Sequence, residues 1–183
     1  MLLESQRSRW VVAQSEPSGA DSEETKRERR EPTDNKKVFI VHGHDDALKQ
    51  SVARTIEKLG LEPVILSEKP NSGRTVIEKF EHNADVGFAI VLMTADDCAR
   101  NKKADNGQEE LRARQNVVLE LGYFFGSLGR DRVFVLKEKD VSEPSDILGI
   151  VYEPVDPSGN WKLSLAKELK NANYVIDANS LLS

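Results

Sequence analysis

Val86-Gly87-Phe88-Ala89-Ile90-Val91-Leu92-Met93 runs for eight residues without one polar side chain. Successive side chains of a strand point to opposite faces, so a run that is apolar at every position reads as a strand covered on both sides. Such strands belong to parallel sheets with helices packed on both faces. The run is the longest apolar stretch in the chain, and it falls well short of the ~20 residues that span a bilayer.

The flanking sequence alternates strand and helix. Upstream, Lys37-Val38-Phe39-Ile40-Val41-His42 is a second β-branched run, followed by a glycine turn and by Ala47, Leu48, Val52, Ile56 and Leu59 at helical spacing. Gly60 is a natural stop for that helix, and Pro63-Val64-Ile65-Leu66 makes the next strand. Beyond the polar loop Ser67 to Arg74, Val76, Ile77 and Phe80 mark another helix. Downstream, the polar stretch Thr94 to Glu110 is too long for an ordinary strand-to-helix connection and reads as a functional or mobile loop. A helix from Ala113 to Leu128 is closed by Gly129, and Arg132-Val133-Phe134-Val135-Leu136 supplies a fourth strand. Ile150-Val151-Tyr152 is a shorter fifth strand, and Trp161, Leu163, Leu165, Ala166 and Leu169 mark the last helix. These steps predict an α/β fold of flavodoxin-like type: an open five-stranded parallel sheet, order 2-1-3-4-5, with helices on both faces.

At 183 residues the chain holds one domain. Ser15 to Glu24 and Lys26 to Arg30 are polar, mixed in charge and nearly free of large apolar groups, which predicts that Met1 to Asn35 is mostly a disordered arm or linker, with Trp10-Val11-Val12 as a small apolar island, ahead of a domain from Lys36 to Ser183. A formal net charge of -5 argues against nucleic acid as the main partner. The single cysteine, Cys98, excludes a disulfide framework and an ordinary cysteine zinc site. Met1-Leu2-Leu3-Glu4-Ser5-Gln6-Arg7 does not resemble a signal peptide, so the expected compartment is the cytoplasm, with no membrane partner.

In doubly wound sheets ligands bind beyond the carboxyl ends of the strands, where strand order reverses. Three segments meet that description. His42-Gly43-His44-Asp45 sets two imidazoles and a carboxylate around a glycine that lets backbone approach a ligand. It reads equally as a plain strand-to-helix turn with Asp45 as N-cap. Ser72-Gly73-Arg74-Thr75 offers an arginine suited to phosphate, or simple capping residues. Asp96 follows the central strand. No metal site is expected, because His82 is the sole remaining histidine. In the helix near Ala113 to Leu128, Val117, Val118, Leu121, Phe125 and Leu128 form the predicted buried face. Glu120 lies about 110° from its centre, beside Asn116, Tyr123 and Phe124. A carboxylate among such neighbours is partly desolvated and its pKa should rise; otherwise Glu120 is a glutamate on the wet side of an amphipathic helix. Gly122 and Gly126, each costing ~1 kcal/mol in a helix, imply close packing against that helix.

The strand and turn Val38-Phe39-Ile40-Val41-His42-Gly43-His44-Asp45, the Gly73-Arg74-Thr75 loop and above all Ala113-Arg114-Gln115-Asn116-Val117-Val118-Leu119-Glu120-Leu121-Gly122-Tyr123-Phe124 resemble the TIR domains of bacterial defence effectors triggered by cyclic nucleotides, the CD-NTase-associated and Pycsar family. The resemblance covers Lys36 to Ser183. It implies a TIR fold and cleavage of NAD+, as substrate and without a cofactor, at the nicotinamide glycosidic bond. Carried onto this chain, the catalytic glutamate is Glu120, and His42, Gly43, His44, Asp45, Arg74, Asp96 and Asn116 would bind substrate. Activation by self-association, ordering the loop Ser67 to Arg74, is also implied. After the last helix only Asn179 to Ser183 remain, so the family's sensing domain is expected as a separate cyclic-nucleotide sensor on another chain, or as absent, or as cut away from this one. Two other classes compete: a non-catalytic TIR adaptor that acts by homotypic association, and an enzyme like the nucleoside deoxyribosyltransferases, which also break an N-glycosidic bond with a glutamate. A phospho-receiver is disfavoured, because Glu153-Pro154 stands where a lysine should follow the fifth strand.

Overall fold

The computed structural model describes residues 35–65, 86–100, 109–145 and 151–182. The predicted arm up to residue 34, the loop Ser67 to Arg74 and the helix around Val76 to Phe80 lie outside the described residues. Five strands form the main sheet: β1 Lys37–Val41, β2 Glu62–Val64, β3 Phe88–Met93, β6 Val133–Lys137 and β8 Tyr152–Pro154. Their order is β2-β1-β3-β6-β8 and every pairing is parallel. Counted along the sheet this is 2-1-3-4-5, the doubly wound arrangement that the alternation of runs predicts.

All six residues of β3 are buried, and the strand's period of two divides them between two cores. Phe88, Ile90 and Leu92 join Val38, Ile40 and Leu136 beneath helices α1 (Asp46–Lys58) and α3 (Trp161–Asn171). Ala89, Val91 and Met93 join Phe39, Val41 and Val135 beneath helix α2 (Gln115–Leu128). Helix α1 is capped at Leu59, and Gly60 follows with φ +77, a left-handed conformation that glycine adopts without a Cβ penalty.

The structure departs from the sequence reading chiefly in three places, besides β2, which is Glu62–Val64 instead of Pro63 to Leu66. The stretch Thr94 to Glu110, read as a loop, carries a strand near each end: β4 Asp97–Ala99 pairs antiparallel with β5 Glu110–Arg112. Strand β7, Val141–Ser142, adds to β5 in parallel, making a three-stranded accessory sheet just past the ends of β3 and β6. All of β5 and most of β4 are exposed, so no apolar alternation announces them. The fifth strand is Tyr152–Pro154 instead of Ile150–Tyr152, and Val151 is left 84% exposed. Its place is set by register with Val135 to Lys137, and a proline is tolerated on this edge strand.

The third departure concerns the buried face of α2. Val117, Leu121 and Phe124 are its fully buried residues, whereas Val118, Phe125 and Leu128 are only partly covered. The Phe124 ring packs at a tilt against Phe39, with ring centroids 4.7 Å apart. That contact turns the buried arc toward Glu120, which now lies about 70° from its centre on an ideal helix. Among the described residues nothing comes within 4 Å of a Cβ built at Gly122 or Gly126, so the close packing expected there is not seen. No helix among the described residues is long and apolar enough to cross a membrane.

Candidate active site

Strand β1 pairs with β2 on one side and β3 on the other, so the order reverses at the β1/β3 boundary. The residues that follow these two strands meet beyond their carboxyl ends. Thr94 is buried, and its Oγ1 donates to Asp96 Oδ2 at 2.9 Å. The backbone N–H of His44 donates to Asp96 Oδ1 at 2.7 Å. The Asp96 side chain is only 3% exposed, and a Cβ added to Gly43 would fall inside its carboxylate. The close approach that Gly43 permits is therefore that of Asp96. The turn is braced from beneath, since Ala95 N–H donates to Glu138 Oε2 at 2.7 Å.

His44 points outward, with a side chain 65% exposed. Its Nδ1 lies 3.5 Å from Asp96 Oδ1 and its Nε2 is 3.3 Å from an Arg114 guanidinium nitrogen. Arginine only donates, so Nε2 must accept and the ring proton sits on Nδ1, facing Asp96. The chain Asp96, His44, Arg114 thus ties the β3 turn to the β1 turn and to the residue that precedes α2. The His42 ring Nδ1 is 2.8 Å from Gly43 O. Asp45 Oδ1 accepts from Leu48 N–H at 2.9 Å, so this carboxylate caps α1.

Glu120 sits in the second turn of α2, one turn beyond the exposed Asn116. Burial pushes its carboxyl from the ordinary range up to about 7, and the positive charge of Arg114 opposes that rise. At neutral pH the group is poised between its acid and its anion. A cavity of about 670 Å³ flanks the same helix on its other side, where Gln115 and Val118 face Cys98, Arg112 and Ser142 of the accessory sheet. Glu120 is not on its wall.

A family model described as CAP12/Pycsar effector protein, TIR domain, matches residues 37–157. The chain belongs to this family of TIR domains. The TIR match takes in both turns and the whole of α2. Protein YuaY of Escherichia coli strain K12 is 51% identical over 150 residues, 81% of this chain and 50% of YuaY. Protein tirC of Dictyostelium discoideum is 42% identical over 147 residues, covering 75% of this chain and 72% of tirC. CD-NTase-associated protein 12 of Flavobacterium daejeonense is 36% identical over 95 residues, 49% of this chain and 28% of that protein. The chain thus spans half of YuaY and less than a third of the CD-NTase-associated relative.

Of the site residues expected from the sequence, the structure brings Gly43, His44 and Asp96 into one hydrogen-bonded cluster. Glu120 is linked to that cluster through the charge of Arg114. Asn116 shares an edge of α2 with Glu120, and Arg74 lies outside the described residues. Arg114 and Glu138 make contacts at these turns that sequence reading does not show. Arg114 stood in the quoted motif, one residue before the helix, and only the fold shows that it reaches His44. Asp96→Asn tests the cluster: its amide cannot accept from both donors as the carboxylate does. The expected result is faster hydrogen exchange at the His44 amide and a loss of about 1–2 kcal/mol in stability. Unchanged exchange at that amide would show that Asp96 does not hold the turn.

Proposed function

We propose that this TIR domain hydrolyses NAD+ to nicotinamide and ADP-ribose, with Glu120 as the catalytic carboxylate. The observation that carries the reading is Glu120 itself: a half-buried carboxyl raised to about 7 on the helix that borders the strand-order reversal. Nicotinamide leaves C1′ with the bonding electron pair and becomes neutral, so no general acid is required. Positive charge develops on the ribose ring, where one carboxylate can stabilise it or hold the ring hydroxyls. Water then adds at C1′ and gives its proton to solvent. Ordinary glycosidases need two carboxylates because their leaving group must be protonated. His42, Gly43, His44, Asp45, Arg74, Asp96 and Asn116 are assigned to substrate binding or to the framework around it, with Asp96 and Asp45 acting through the backbone turns they hold.

The family and the names of the relatives support a further reading, in which the domain is an antiphage effector that self-associates in response to a cyclic nucleotide detected by a separate sensor. The outward stripe of α2, with Leu119 56% exposed beside Gly122 and Gly126, supports self-association. Release of nicotinamide from NAD+, measured by chromatography over a range of protein concentrations, tests the proposal. A steep rise with concentration is expected. No release at any concentration, with or without cyclic nucleotides, would leave the adaptor reading in its place, and nucleobase exchange without NAD+ cleavage would favour the transferase reading.

A further inference from the structure

On the face of the sheet opposite to Glu120, the outer side of α1 forms one wall of a cavity of about 480 Å³. Gln50, Ser51, Arg54 and Lys58 of α1 recur there at helical spacing, and Lys162 from the first turn of α3 and Leu181 close the other side. Among the described residues three cations line this space and no carboxylate does, in a chain whose acidic residues outnumber its basic ones. Elsewhere cations find near neighbours of opposite sign: Lys49 with Asp46, Arg112 with Glu110, Lys137 with Glu143. Arg54 and Lys162 pair with no acid among the described residues.

Lys162 is also held in place. Its ammonium lies 5.6 Å from the centroid of the Trp161 ring, and its stem runs against Gly159, where a Cβ would stand 3.4 Å from Cε. A long side chain already laid down loses less entropy when it binds an anion. Thr55, in the same groove, donates its hydroxyl to Ser51 O at 2.8 Å, leaving its oxygen to accept. Leu181, Ala47 and the stems of the basic side chains supply apolar wall. A bare phosphate would satisfy the cations and leave most of the volume empty; the space suits a ligand with an organic body.

We propose that this groove binds a phosphate-bearing small molecule of nucleotide size, with Arg54 and Lys162 on the phosphate and Leu181 against the organic part. The site is separate from Glu120 and does not depend on NAD+ cleavage. Titration of the isotope-labelled full chain with AMP, and separately with inorganic phosphate, at low ionic strength tests it by NMR. In the wild type the amides of α1 and of residues 178–182 should shift, with AMP binding several-fold tighter than phosphate. Arg54→Glu combined with Lys162→Glu should weaken AMP about tenfold or more, and Arg54→Gln with Lys162→Gln should weaken it less. Nicotinamide release should be the same in all three proteins. Unmoved amides in the wild type, equal AMP affinity in the charge-reversed protein, or phosphate binding as tightly as AMP would each overturn the proposal.

Discussion

Glu120→Gln is expected to lower the rate of nicotinamide release by about 10³-fold. The amide keeps the size and hydrogen-bonding reach of the carboxyl group and removes only the charge. A carboxylate about 4 Å from the developing positive ribose is worth roughly 4 kcal/mol at an effective dielectric near 20, which corresponds to about three decades in rate. The pH dependence follows from the same group. Burial raises Glu120 to about 7, and the anion is the competent form, so the rate should climb through neutrality and level off above pH 8. At pH 6 it should be about a tenth of the plateau. Arg114 works against the rise; Arg114→Gln should therefore move the ascending limb to higher pH and reduce the rate at pH 7. A Glu120→Gln protein within a few-fold of wild type would remove the glutamate from the mechanism. A pH limb that ignored Arg114 would break the electrostatic link between the two residues.

The second large effect is on stability. Gly43→Ala places a methyl group where the Asp96 carboxylate already sits. Asp96 cannot step aside cheaply, because its side chain is only 3% exposed and accepts from both His44 N–H and Thr94 Oγ1. The two turns are anchored on β1 and β3, which pair with each other through the centre of the sheet. The expected cost is about 2–4 kcal/mol, a drop of roughly 5–15 °C in melting temperature for a domain of this size. Adding Asp96→Ala should recover part of the loss, because it clears the space the methyl needs, and the two substitutions should be strongly non-additive. Melting curves of the two single variants and the double variant decide the matter. A Gly43→Ala protein that melts with the wild type, or strictly additive losses, would show that the turns are not wedged together.

Much of the candidate site is legible in the sequence because its pieces are local. His42 to Asp45 follow an apolar run and precede a helical repeat, and that order alone puts them at a carboxyl edge. Glu120 was placed beside apolar neighbours by counting residues around one helix. The count misses the buried arc by a few tens of degrees, since nothing in α2 by itself says that Phe124 packs against Phe39. The sequence shows Asp96 only by its position after the central strand; that its carboxylate fills the space over Gly43 is a contact between residues far apart in the chain. The accessory sheet escaped notice for a related reason. Its strands are short, polar and mostly exposed, and backbone pairing holds them without any side-chain pattern.

Architecture and family follow from local order along the chain: strand and helix periods are written in consecutive residues, and a run such as Val86 to Met93 is satisfied between two layers. Which side chains touch across the β1/β3 boundary, how far Glu120 is drawn out of water, and that Arg54, Lys58 and Lys162 share one groove are consequences of the folded arrangement. The physical reason is that burial and charge act through space, whereas a periodic pattern reports only the face on which each residue begins.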